Sequence, residues 1–203
     1  MGKTDISDKN GAKEYADAVF EGLMLKGAEI VSKQFYACLF KNCDFTGARF
    51  RFCKFADCRF ESCNLSLVKV PGSTFGGAVF KGSKLLGLNW TEASWPRLSV
   101  AAPSRFENCV LSDSNFLGLS LAGTAIKNCL ARDADFREAD LSKADLTGTD
   151  FTASLFGKTN LSGADLTQAR NYAIRVADNK VKGAKFSMPE AMALLYCLDI
   201  EIV

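Results

Sequence analysis

The chain has 203 residues, 48% of them apolar and sixteen of them Phe, with a formal net charge of +2. That length allows one domain or two small ones with a sizeable core, and that charge points neither to a general nucleic-acid binder nor to a membrane-surface protein. No stretch approaches the roughly 18 apolar residues of a membrane span, and the polar start MGKTDISDKNGAKEY has no apolar run of signal-peptide length. A soluble, cytoplasmic protein is therefore expected. The near-neutral total hides an asymmetry: residues 1–105 carry fifteen Lys/Arg against ten Asp/Glu, and residues 106–203 carry ten against thirteen.

Residues 1–14 are expected to be a disordered tail. From Phe20 every fifth residue is apolar: Phe20, Leu25, Ile30, Phe35 and Phe40 begin a series of seventeen that ends at Val100. At half apolar composition such a run arises by chance on the order of once in 10⁵. A period of five fits neither a helix at about 3.6 nor a strand at about 2. The other columns agree with it. Two residues before each large residue stands a small one, such as Cys38, Ala48 or Cys58; one before is often Asp or Asn; one after is often Ser or Thr; two after is often Gly. The unit is small, polar, large apolar, polar, turn residue.

The register shifts by one within WPRLSVAAPSRF (95–106), read as one extra residue in a bulging corner or short loop that includes Pro96 and Arg97. Interruptions of this kind often carry binding residues in repeat proteins. Trp90 and Trp95 fall in the large inward column and are expected in the core, with partial exposure of one as an interface anchor the alternative. From Phe106 the period resumes and is cleanest in DADFREADLSKADLTGTDF (133–151). A weaker tail runs through Val176 and Val181 to Phe186, with Asn171 as the exception. The repeat is assigned to residues 15–186.

Residues 187–203 leave the pattern. Ser187 with Glu190 reads as a capping box and Pro189 suits a first helical turn. Met192, Leu194, Leu195 and Leu198 give the short helix an apolar face, and Ile200, Ile202 and Val203 follow as a small strand. An apolar cap over the open end of a stacked repeat can pair with a second copy, so Met192, Leu194, Leu195, Leu198 and Ile200 are the candidate interface of a two-fold homodimer.

Seven of the eight Cys lie in the small inward column; the exception is Cys197. They read as small buried hydrophobes rather than as a metal site or a disulfide ladder, since there is no C-x-x-C and no His to complete a zinc site. The missing His also removes the commonest general base. Asp135, Asp140, Asp145 and Asp150 fall on four successive units, so they face outward in four directions and cannot converge as catalytic carboxylates. No catalytic residue, cofactor or metal is expected, and the chain reads as a binding module.

The unit resembles the pentapeptide-repeat family, A(D/N)LxX, over about residues 18–186. The resemblance implies an all-β, right-handed, four-sided parallel β-helix in which each pentapeptide forms one side. Four units per turn predict like side chains stacked twenty residues apart: Phe20, Phe40, Phe60 and Phe80 on one side, and Phe35, Phe55, Phe75 and Trp95 on another. About eight turns at the strand spacing of about 4.8 Å make a rod about 40 Å long. The segments CNLSLVKVPGSTF (63–75), GLNWTEASWP (87–96), NY (171–172) and SMPEAMALLYCLDIE (187–201) are similar to the albicidin-resistance and microcin-immunity members, relatives of the Qnr quinolone-resistance proteins. That resemblance implies a dimer shaped and charged like duplex DNA. It implies as partner DNA gyrase, and sometimes topoisomerase IV, which it protects from a poison. The implied contact residues are Asp135, Asp140, Asp145, Asp150 and Asp165, with Pro96 and Arg97 of the interruption. Arg49, Arg51, Lys54 and Arg59 keep the first half from being DNA-like.

Overall fold

A computed structural model describes residues 6, 13–95, 103–196 and 198. The chain winds as an all-parallel β-solenoid of about eight turns. Each turn has four short sides, here called faces I to IV, whose central residues begin at Phe20, Leu25, Ile30 and Phe35. Three-residue strands dominate the first half: Val19–Glu21 pairs in parallel with Leu39–Lys41, which pairs with Arg59–Glu61, which pairs with Val79–Lys81. Elsewhere the sides meet through single bridges twenty residues apart, such as Asp44 with Asn64 and Asp145 with Asp165. Pairing starts at Glu14–Ala16 and the last repeat strand is Lys185–Phe186.

Alternation across each side decides what is inside. In Arg49–Arg51 the flanking residues are exposed and Phe50 is buried. The core is a column of rings. Phe20, Phe40, Phe60 and Phe80 stack on face I with centroids 4.9, 4.8 and 4.9 Å apart, and Phe35, Phe55 and Phe75 stack on face IV at 5.0 Å. Rings of neighbouring faces meet edge-on, as Phe35 does with Phe40 at 73°. Stacking along the axis and edge contacts across it are both favourable aromatic geometries. Each buried Phe contributes roughly 1.5–3 kcal/mol through burial.

The small inward column does more than leave room. Cys43, Cys53, Cys58 and Cys63 direct their thiols at the carbonyls of Phe20, Ile30, Phe35 and Phe40 in the preceding turn, at 3.3–3.4 Å. Ser73, Ser83, Ser114 and Thr149 donate hydroxyl hydrogen bonds to Phe50, Phe60, Leu85 and Ile126 in the same way. These hydroxyls are buried yet satisfied. The outward Asp/Asn column closes corners: Asp44, Asp135, Asp140 and Asp145 each accept the backbone N–H two residues on, the Asx-turn geometry. The corner residue that follows lies in the left-handed region, as at Gly47 and Gly148, which suits Gly.

The interruption is larger than one residue. Phe106 stacks on Phe80 and pairs with it in register, so that turn spans twenty-six residues instead of twenty and holds six extra. A shift of six and a shift of one give the same phase in a five-residue pattern, which is why the sequence showed only one. Trp90 is fully buried, edge-on to Phe75, Phe80 and Phe106 and parallel to Phe116. Trp95 is only half-buried, and its indole N–H donates to the Trp90 carbonyl at 2.8 Å. The alternative of one core Trp and one partly exposed Trp is the one adopted.

Both ends differ from expectation. Ile6, within the segment expected to be a tail, is fully buried in the core. At the other end Tyr172 takes the inward place that Asn171 leaves. The Ser187–Glu190 capping box does not form. The Ser187 hydroxyl accepts from the Gln168 N–H and the Glu190 carboxylate from the Asn171 N–H. These donors belong to the open edge of the last full turn, and an unpaired edge needs acceptors more than a short helix does. The helical segment is a 3-10 turn at Glu190–Met192 followed by Ala193–Tyr196.

Candidate protein-interaction surface

The carboxylates expected to form an acidic surface do sit on successive sides. Asp135 is on face III, Asp140 on face IV, Asp145 and Asp165 on face I, and Asp150 on face II. Their environments differ. Asp135 holds Arg137 through a two-pronged contact, with Nη2 to Oδ2 at 2.6 Å. That guanidinium keeps its carboxyl below the ordinary range. Asp145 meets Lys127 at 3.0 Å, and Asp165 meets Lys185 at 3.5 Å. Burial opposes ionisation of Asp145, but Lys127 and Thr147 outweigh it; in Asp165 the Thr167 N–H and hydroxyl lead, with Lys185 adding to them. Asp140 accepts from the Ser142 N–H and from the Asn160 amide.

Asp150 departs from the expectation of an outward, solvated carboxylate, for it is 1% exposed. It accepts from the Thr152 N–H and hydroxyl, from Asn171 Nδ2 at 3.0 Å, and from Arg132 Nη2 at 2.8 Å, with Arg170 Nε 3.7 Å away. Arg170 and Asn171, where the repeat is broken, close over it from the next turn, and Arg132 closes over it from the preceding one. Asp150 is thus a structural anion between two arginines and offers no free edge to a partner. Neither Arg132 nor Asn171 could be assigned to it from the five-residue pattern, because one lies eighteen residues before it and the other twenty-one after.

Pro96 and Arg97 lie outside the described residues, as does Ile200. Of the other candidate interface residues, Met192 and Leu194 are half-buried, Leu194 packing against the core, while Leu195 and Leu198 are exposed. Met188, which the sequence reading did not select, is the most exposed large apolar side chain at this end among the described residues, at 69%. All seven described Cys are buried free thiols. No helix among the described residues is long and apolar enough to cross a membrane.

One face escaped the sequence reading as a unit. On face III of the first half Arg49, Arg51 and Lys69 are exposed, with Lys54 around the next corner beside Tyr36. Two large apolar side chains, Phe52 and Leu67, stand on the corners bordering it at 61% and 59% exposure.

The pentapeptide-repeat region model matches residues 33–102, and the pentapeptide-repeats model matches 114–152 and 132–168. No curated protein sequence matches the chain. Among solved structures it is similar to trypsin-treated QnrB1, a plasmid-mediated fluoroquinolone resistance protein, at 21% identity. That match covers 94% of this chain and 91% of that one, with a TM-score of 0.69. Full-length QnrB1 matches at 22% identity over 92% and 100%, with a TM-score of 0.55. HetL, a pentapeptide repeat protein involved in heterocyst differentiation regulation from the cyanobacterium Nostoc sp. strain PCC 7120, matches at 15% identity over 84% of each chain, with a TM-score of 0.58. Repeat, register and matched models together place this chain in the pentapeptide-repeat family.

Proposed function

We propose that the protein binds DNA gyrase, with topoisomerase IV as a second target, and protects it from a topoisomerase poison, conferring resistance or self-immunity. It acts as a homodimer joined through the C-terminal cap, binds no nucleic acid directly, and performs no catalysis. The observation that carries this reading is the acidic belt around the second half. Residues 133–167 hold seven Asp/Glu against three Lys/Arg, net −4, within less than two turns, or roughly 8–10 Å of axis at the strand spacing. A DNA duplex carries one negative charge per about 1.7 Å, about five or six over that length. The carboxylates of the belt therefore recur about as closely along the axis as duplex phosphates. Lys127, Arg132, Arg170 and Lys185, just outside this segment in sequence, pair with three of its carboxylates. The likeness to QnrB1 along nearly the whole chain supports the same reading at the level of shape.

The test is a gyrase DNA-cleavage assay with a quinolone and with a peptide-type poison. A dose-dependent loss of trapped cleavage complexes is expected, and the poison relieved identifies the role. No relief of either poison, together with unaffected supercoiling, refutes the reading. A second reading, a β-helical scaffold for a different protein partner, is favoured by the likeness to HetL, and that negative result would direct attention to it.

A further inference from the structure

The basic half of the rod carries a built feature that an acidic belt elsewhere does not explain. Non-glycine corner residues in the left-handed region are mostly Asp, Asn, Ser or Lys; among the described residues only Phe52 (φ 54°) and Leu67 (φ 58°) are large and apolar there. That conformation is costly for a bulky side chain, and so is leaving such a side chain in water. Both are laid along the axis over a glycine of the next turn. A Cβ on Gly72 would stand 2.5 Å from Phe52 Cδ1, and one on Gly87 would stand 2.9 Å from Leu67 Cδ2. The two glycines leave room for the knobs to lie flat against the corners, and Arg51 sits 5.7 Å from the Phe52 ring centroid.

Between the knobs, face III presents Arg49, Arg51 and Lys69, with Arg49 and Lys69 bridged in adjacent turns. Two carboxylates border them. Glu29 reaches Arg51 at 3.7 Å, and Glu92 lies 3.5 Å from the Asn89 amide. Among the described residues no carboxylate is within ion-pair distance of Arg49, Lys54 or Lys69. A cationic floor walled by an aromatic and an aliphatic knob matches a protein segment bearing carboxylates flanked by apolar anchors. Single-stranded nucleic acid fits it less well: such sites stack successive bases on several aromatic rings, and here there is one exposed ring and one Leu.

We propose that face III of the first half, with Phe52 and Leu67 as anchors and Arg49, Arg51 and Lys69 as cations, is a second docking surface for an acidic segment of the gyrase protein. It rests on the gyrase reading and adds to it a contact made with protein rather than through imitation of DNA. The test measures binding of the full chain to DNA-free gyrase at low and moderate salt for wild type, R49E/K69E, F52A and, as a matched charge control on faces I and II, K81E/K84E. All substituted side chains are exposed, and circular dichroism with a thermal midpoint verifies folding. At least tenfold weaker binding by R49E/K69E and about fivefold by F52A, with K81E/K84E near wild type, is the expected result. Equal losses in both charge variants would reduce the effect to net charge and overturn the proposal. Wild-type binding undiminished in R49E/K69E and F52A overturns it and leaves the gyrase reading standing. No wild-type binding removes both. Binding of wild type to duplex or single-stranded DNA alone, lost in R49E/K69E, reassigns the face to nucleic acid and also overturns it.

Discussion

Replacing Asp150 by Ala tests whether the second half is held by a buried anion. The carboxylate serves two donors of Thr152, one of Asn171 and two of Arg132. Hydrogen bonds to a charged group are worth about 1.5–3 kcal/mol each where the partner stays buried. Arg132 and Arg170 are half-exposed, so both re-solvate when the anion goes and contribute little. Thr152 and Asn171 are exposed too, so the net loss is about 2–3 kcal/mol, the worth of one hydrogen bond to a charged group rather than of five. The variant tests the anion through pH as well. Burial disfavours the ionised form, but Asn171, Thr152 and Arg132 overcome it and hold the folded carboxyl far below its ordinary value. A group with a depressed folded pKa contributes stability above its unfolded value, near 4, and loses it as pH falls towards the folded one. The gap between wild type and D150A in urea midpoint should therefore be constant from pH 7 to about 5 and shrink below pH 4. A gap independent of pH down to 3 would show that packing, not charge, is responsible, and a variant as stable as wild type would refute the role altogether.

Thr149→Val removes the buried hydroxyl that donates to the Ile126 carbonyl at 2.6 Å and accepts the Cys129 N–H, and should cost about 1–3 kcal/mol in denaturant unfolding. Native protein should react with a disulfide-exchange dye at no more than one of its eight thiols, Cys197, and at all eight when unfolded; burial pushes Cys58 up to about 12, away from the reactive thiolate. Leu195→Asp should convert a dimer to a monomer by light scattering, and an unchanged mass would exclude Leu195, 37% exposed, from the interface. Gly72→Ala should lower stability by roughly 1–2 kcal/mol through its left-handed backbone and the displaced Phe52 ring.

The rod was legible because its code is local and repeated. A large residue every fifth position, with small and Asx columns around it, specifies side, corner and stacking interval together. What was not legible is what breaks the period. Six extra residues and one extra residue look alike modulo five, so only the pairing of Phe80 with Phe106 reveals the length of the insertion. Asp150 has the same local sequence context as Asp145, TGTDFT beside KADLTG, yet one is buried and the other half-exposed. The difference comes from the next turn, where Arg170 and Asn171 replace the repeat residues. Ser187 and Glu190 have the spacing of a helix cap, but the unpaired N–H groups of the last turn compete for the same two acceptors.

The same logic explains why the candidate surfaces are hard to read from one side chain at a time. In a solenoid each outward residue has neighbours twenty before and twenty after, so a carboxylate's field depends on the column and not on its own pentapeptide. Lys127 partly neutralises Asp145, Lys185 Asp165, and Arg132 with Arg170 Asp150, so the −4 of residues 133–167 is a segment sum that these paired cations offset. On face III the columns work the other way: Arg49 stands over Glu29 in register, and Lys69 follows Arg49 with no acid between them. One rod therefore carries an acidic belt in its second half and a basic, apolar-flanked face in its first. If the chain were a uniform imitation of DNA, the basic face would be a defect, and reversing Arg49 and Lys69 should strengthen gyrase binding. If the two halves meet different surfaces of one partner, the same reversal should weaken it. The sign of that single change separates charge mimicry alone from mimicry joined to a specific protein contact.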